Sequence, residues 1–212
     1  MSEITKWEVK FHDFLSQIEF KDSSHDLNHF KRVAKISKEI AAKEKDVDEL
    51  VILAAAYFHD IISFPKDDPK RSRASYYASM KAGEILRSLD FPADKINPVK
   101  HCILTHSYSA NIDPETIEAK IVQDADRMEA IGAIGLARVF YVSGQLGSQL
   151  FNSNDPFAQN RELEDRKFAL DHFYVKLLGL KDTMKTLGGK SIAQKRTKVL
   201  EKFLENIKEE LI

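Results

Sequence analysis

The chain has a single cysteine, Cys102, among 212 residues. An intramolecular disulfide is therefore excluded, and so is a metal cage built from thiolates. Glycine and proline punctuate the sequence sparsely, at 8 and 6 residues, and alternating strand patterns are scarce. No apolar run approaches the ~20 residues needed to cross a bilayer. The opening stretch MSEITKWEVKF is charged and amphipathic and lacks the apolar core of a secretory leader. The expectation is a cytoplasmic protein with no membrane partner. An excess of charge of one sign is missing as well: 32 basic residues face 33 acidic ones. Sequence-independent affinity for a phosphate backbone needs surplus Lys and Arg, so a nucleic-acid polymer is not an expected partner.

Apolar residues make up 43% and charged residues 31%, enough for a substantial core beneath a well-solvated surface. The length fits one domain covering 1–212, and no internal repeat, low-complexity tract or dividing linker interrupts it. Apolar positions recur at three- and four-residue intervals, which predicts an all-α helical bundle of about eight helices. The pattern places them at about 4–20, 25–44, 47–62, 72–89, 92–106, 114–144, 161–180 and 190–210. Asp46 followed by Glu49 reads as a capping pair before VDELVILAAAYF. Asp113-Pro114 reads as an N-cap followed by a first-turn proline. Gly188-Gly189 reads as a break between the last two helices, and 63–73 and 144–160 read as loops, the latter with a lid as an alternative role. Residues 161–210 are expected to pack on a core of about 25–138; a protruding hairpin for dimer contacts is the alternative.

Seven histidines are candidates for chemistry: His12, His25, His29, His59, His101, His106 and His172. A His-Asp pair occurs at 12–13, 25–26 and 59–60, so the dipeptide alone selects nothing. Context favours His59-Asp60, which ends a stretch that is apolar nearly all round and hence buried. A buried imidazole beside a buried carboxylate is costly unless the two bond each other or share a cation. His29 lies on the inward stripe marked by Val33 and Ile36. His25, one turn earlier, reads as a helix-terminal residue, with ligand or supporting roles as alternatives. Asp26 could orient a ligand histidine. Asp124 and Asp126 fall in the otherwise apolar run AKIVQDADRMEAIGAIGLARVF, where solvated decoration is a poor account of two carboxylates. Imidazoles and carboxylates together form a mixed nitrogen and oxygen donor set. That set suits Mn, Fe, Co, Ni or Mg better than a structural zinc site.

A histidine, a distant His-Asp pair and a later Asp form a pattern that resembles the HD phosphohydrolase superfamily, in its compact bacterial branch. The matching stretches are HDLNHFKRV at 25–33, AAAYFHDIISFPKDDPKRSRAS at 54–75, HSYSA at 106–110 and QDADRMEAIGAIGLAR at 123–138. The tail HFYVKLLGLKDTMKTL at 172–187 is similar too. The resemblance implies an HD-type helical bundle with His29, His59, Asp60 and Asp126 as metal ligands; Asp124 would then support them from behind. Superfamily members with two ions use extra histidines. Only His101 and His106 are available here, and five residues apart they point about 140° from each other on one helix. One ion is the expectation, with His106 on the wall of the site and His101 packing or facing solvent.

A divalent ion activates water and screens phosphate charge, and phosphoryl transfer otherwise needs mainly positioning and positive charge. The loop PKDDPKRSRAS, tethered directly after His59-Asp60, supplies the latter. Lys66, Arg71 and Ser75 are the chosen phosphate contacts, with Arg127 as a further candidate; a solvated charged loop is the competing reading. Superfamily nucleotidases that carry a Glu just after the His-Asp pair have no counterpart here, where Ile61, Ile62, Ser63 and Phe64 follow. Asp67, Asp68 or Asp124 are the substitutes for that base. Tyr76, Tyr77, Phe140, Tyr141 and Phe151 could stack on a nucleobase or serve as core. The resulting expectation is a phosphohydrolase holding one divalent ion and acting on a small phosphorylated substrate, a nucleotide in the first instance. A di-iron oxygenase and a non-catalytic nucleotide-binding module are the alternatives, and a homodimer fits a helical enzyme of this size.

Overall fold

The computed structural model describes residues 1–18, 27–64, 68–107 and 110–211. Among them are eight α-helices: α1 Glu3–Ser16, α2 Leu27–Ala41, α3 Glu49–Phe58, α4 Ala74–Ser88, α5 Ala93–His106, α6 Ile117–Arg127, α7 Gly132–Gln145 and α8 Leu187–Leu211. The described residues contain no strand, only one isolated parallel bridge between Gln149 and Phe168. No helix among them is long and apolar enough to cross a membrane. The chain divides into two compact units, 1–126 with 185–189, and 127–184 with 190–212.

The first unit is built round α3, which packs against α1, α2, α4 and α5, while α4 lies along α5. Every residue of α3 from Leu50 to Phe58 is buried. Burying one large apolar side chain contributes roughly 1.5–3 kcal/mol, so this helix supplies a surplus against which a polar site can be buried at its end. The cap of α3 differs from the sequence expectation. Asp46 sits in a left-handed turn at φ 52°, and it is Asp48 whose carboxylate accepts from Leu50 N at 3.1 Å and Val51 N at 3.2 Å. A carboxylate reaches the free N–H groups of the first turn only from the residue next to the helix.

The start of α6 is also displaced. Asp113 pairs with Lys185 at 3.2 Å, and Thr116, not Asp113, caps the helix by accepting from Ala119 N at 3.2 Å. Gly188 and Gly189 do not separate helices: they lie in the first turn of α8. Asp124 explains why glycine stands there. Its buried carboxylate accepts from Lys185 N at 2.9 Å, Thr186 N at 2.8 Å and Thr186 Oγ1 at 2.7 Å, capping the approach to α8. A Cβ on Gly189 would overlap this carboxylate and stand 2.7 Å from Thr186 Oγ1.

In the second unit, Phe140 of α7, Phe173 and Phe203 of α8 meet at centroid distances of 5.5–6.2 Å. Two predicted helices are revised. The expected 114–144 helix breaks after a 3₁₀ turn at Met128–Ala130, because Ile131 is extended and Gly132 takes φ +79°. That conformation favours glycine. The Arg196 side chain lies against Gly132 and donates from Nη1 to the Met128 carbonyl at 2.7 Å. The expected 161–180 helix is mostly irregular, with only a π turn at Phe173–Leu177 and a 3₁₀ turn at Leu180–Thr183. Asp171, 1% exposed, accepts the Arg161 fork at 2.5 and 2.7 Å and Glu164 N at 2.7 Å, so the backbone wraps round a carboxylate. The apolar spacing that suggested a helix records side chains buried beneath this loop, among them Phe168, Leu170 and Phe173.

Candidate metal centre

Four side chains from the first unit converge: His29 from α2, His59 and Asp60 at the end of α3, and Asp126 from α6. His29 is placed by the inward stripe of α2, which buries Phe30, Val33, Ala34, Ile36 and Ile40 beside it. His59 follows the last residue of α3, where the chain turns as Ile61 N donates to the Phe58 carbonyl at 3.2 Å. That turn carries Asp60 to the same side as the His59 ring. His59 is 0% exposed and His29 1%, whereas the side chains of Asp60 and Asp126 are 18% and 25% exposed. The histidines therefore form the floor of the site, and the carboxylates its open rim.

Hydrogen bonding sets the tautomers. His59 donates from Nδ1 to the Ala56 carbonyl at 2.9 Å, which turns its Nε2 towards the other three residues. A second nitrogen so tied to a carbonyl is the usual arrangement of a metal-binding imidazole. His59 Nε2 lies 3.1 Å from His29 Nε2, 3.6 Å from Asp126 Oδ1 and 3.7 Å from Asp60 Oδ2. His29 Nε2 is 3.7 Å from the same Asp126 oxygen. Ligands about 2.1 Å from a common ion stand about 3.0 Å apart at right angles and about 3.4 Å apart in a tetrahedron. One donor atom from each residue lies within 4.8 Å of all the others. Spacing and donor chemistry thus both fit a divalent metal ion.

The electrostatics agree. Burial alone would depress His59, but the charges of Asp60 and Asp126, the hydrogen bond to Asp126 and the Ala56 carbonyl raise its pKa to about 9. Burial would raise Asp126, but the hydrogen bond and charge of His59, joined by the charge of His106, hold it well below the usual carboxylate range. These carboxylates draw a cation, proton or metal, into the space between the imidazoles.

His106 closes the site from α5. It donates from Nδ1 to the Ile103 carbonyl at 2.6 Å and presents Nε2 3.3 Å from Asp60 Oδ1, with its ring 4.9 Å from that of His59. Sequence reasoning missed Gln123, which donates to the Thr105 carbonyl at 2.8 Å and ties the helix of Asp126 to the last turn of the helix of His106. A glutamine two turns into a helix carries no sequence signal for that role.

The remaining candidates make the following contacts. Asp124 holds Lys185 and Thr186 at the approach to α8. Arg71 donates from Nη1 to the Phe64 carbonyl at 3.1 Å. Ser75 is buried at the start of α4. Arg127, in the second unit, donates to the Thr183 carbonyl at 3.2 Å. His101 is bonded rather than idle, its Nε2 accepting from Glu115 N at 3.3 Å. Lys66 and Asp67, like His25 and Asp26, lie outside the described residues.

Residues 26–131 match the family model described as HD domain. The chain belongs to that family, within the HD superfamily of hydrolases. It is 31% identical over 198 residues to the protein YpgQ of Bacillus subtilis (strain 168), covering 90% of this chain and 86% of YpgQ. The crystal structure of YpgQ in complex with ADP superposes with a TM-score of 0.76 at 26% identity, covering 98% and 96% of the two chains. An HD-superfamily hydrolase from Bacillus thuringiensis gives a TM-score of 0.76 at 30% identity over 98% and 97%. The Lin1889 protein of Listeria innocua gives 0.73 at 32% over 99% and 98%.

Proposed function

We propose that this hydrolase is a metal-dependent phosphohydrolase that cleaves a phosphate or pyrophosphate bond of a nucleotide. In this reading His29, His59, Asp60 and Asp126 hold one divalent ion. The observation that carries it is the convergence of two imidazole nitrogens and two carboxylates at ligand spacing, closed below by the histidines and open at the carboxylate rim. A divalent ion held there lowers the pKa of a coordinated water and offsets phosphate charge. The side chains do the rest. The Ala56 carbonyl locks the His59 ring, so the donor set is pre-oriented and little is lost in arranging it. His106 presents Nε2 at the rim beside Asp60, where it can hydrogen-bond a phosphate oxygen or hand over a proton. The basic segment of Lys66, Arg71 and neighbouring residues follows Asp60 closely and supplies positive charge for the substrate. The ADP complex of the related YpgQ supports a nucleotide as the ligand.

The test is a metal-stripped preparation reconstituted separately with Mn, Mg, Co, Ni, Fe or Zn. Phosphate and pyrophosphate release are followed from nucleoside mono-, di- and triphosphates. Metal-dependent release, reduced by roughly a hundred-fold or more in His59→Ala and Asp126→Ala, is the expected result. A chain that binds no ion, or one that turns over equally well without it, would overturn the proposal.

A further inference from the structure

The outer side of α4 carries a cluster of aromatic rings that the core does not use. The inner side of this helix buries Ser75, Ala78, Ser79 and Ala82, whereas Tyr76 stays 44% exposed. Tyr76 and Tyr77 meet edge to face with centroids 5.6 Å apart, and Tyr77 meets Phe64 in the same way at 5.8 Å. The guanidinium of Arg73 lies 5.5 Å from the Tyr76 ring centre and 5.3 Å from that of Tyr77. Packing explains neither the exposure of Tyr76 nor the placing of one cation over two rings on a solvent-facing surface, since burial, not exposure, is what stabilises an aromatic side chain.

The cluster is tethered to the metal centre. Phe64 is four residues beyond Asp60, and four residues of chain span at most about 14 Å. The turn after Phe58 shortens that span, and the bond from Arg71 to the Phe64 carbonyl ties Phe64 to the short turn that leads into α4. A substrate whose phosphates lie at the carboxylate rim of the site can therefore place its other end on these rings. Planar guanidinium and phenol groups stack on any nucleobase, because every base presents a π face.

We infer that Tyr76, Tyr77 and Arg73 form a nucleobase-stacking platform that makes the site select nucleotides over bare polyphosphates. This rests on the phosphohydrolase reading for the position of the phosphates. Because stacking needs no donor and acceptor code, the platform discriminates a nucleotide from inorganic tripolyphosphate and is tolerant between bases.

The experiment measures binding of ADP and of inorganic tripolyphosphate by calorimetry, on the intact manganese-loaded protein and on Tyr76→Ala, Tyr76→Phe and Arg73→Lys. Tyr76 is exposed, so its removal leaves the core intact, and the melting temperature of each variant checks this. The expected result is ADP affinity reduced by roughly five- to a hundred-fold in Tyr76→Ala. Tripolyphosphate affinity should be unchanged, and Tyr76→Phe should bind ADP as the parent does. Arg73→Lys, which keeps the charge and loses the plane, should also weaken ADP alone. Unchanged ADP affinity in Tyr76→Ala, an equal loss for both ligands, or a parent protein that binds no ADP would each overturn the inference. Hydrolysis is scored separately, so failure of the phosphohydrolase reading appears as absent turnover while the binding comparison still decides the platform.

Discussion

The Nε2 atoms of His29 and His59 face each other across 3.1 Å. Two imidazole lone pairs at that distance would repel, so either one nitrogen carries a hydrogen towards the other or a cation lies between them. The carboxylates of Asp60 and Asp126 outweigh burial and raise the pKa of His59 to about 9.

A pH dependence follows. The folded pKa of His59 lies above its unfolded value of about 6.5, so its protonation stabilises the metal-free fold fully below pH ~6.5. That stability is lost as pH rises through about 9. An ion must displace the same proton, so metal affinity should rise across the same window and binding at pH 7 should release a proton. Melting curves of the stripped protein, and calorimetry of Mn binding in two buffers of different ionisation enthalpy, read both effects. A buffer-independent heat would contradict the expectation.

His106 presents a nitrogen at the rim without belonging to the four-residue donor group. His106→Gln keeps a hydrogen-bonding group but cannot exchange a proton near neutral pH. Turnover should fall by about 10²-fold or more if His106 transfers a proton, while the Mn content per chain stays the same. Loss of the ion together with activity would instead make His106 a ligand.

Asp171 tests the loop that replaced a predicted helix. Burial would raise its pKa, but the hydrogen bond from Arg161, the Glu164 N–H and the Arg161 charge together lower it. A depressed carboxylate stabilises the fold above its unfolded pKa of about 3.9, and this is lost as pH falls through the folded value. Asp171→Asn should therefore lose roughly 3 kcal/mol at pH 7 and approach the parent in strong acid. Urea unfolding at pH 7 and at pH 3 measures the difference, and an equal deficit at both would exclude this account.

Gly189→Ala is the sharpest steric test. The added methyl would collide with the Asp124 carboxylate that caps the approach to α8. A cost of about 1–3 kcal/mol is expected, whereas Gly144→Ala, inside α7 with nothing within 4 Å of the added methyl, should leave stability unchanged or raise it by up to about 1 kcal/mol. Comparing the midpoints of thermal unfolding for the two variants checks this.

Much of the site was legible before any fold was known. His59 was marked by the apolar run before it, His29 by the stripe it continues, and the capacity to hold an ion by the chemistry of the donors. The role of Asp124 was not legible, because its partners at Lys185 and Thr186 are some sixty residues away in sequence. Nor was Gln123, whose partner is a backbone carbonyl that any residue could offer. The helix expected at 161–180 failed for a related reason. Apolar periodicity reports which side chains are buried, and the pair of Arg161 with the buried Asp171 achieves that burial with an irregular backbone.

By itself, then, the amino-acid sequence determined the helical class and the burial of α3, which depend on local pattern, and it offered histidines and aspartates whose chemistry suits an ion; the choice of His29, His59, Asp60 and Asp126 among them followed from the resemblance to the HD superfamily. Only the tertiary structure decided that four of those residues meet within 4.8 Å, that His106 stands beside Asp60, and that Asp124 holds Lys185 and Thr186. Those outcomes depend on which helices pack together and on which long-range hydrogen bonds form, and no local pattern encodes either.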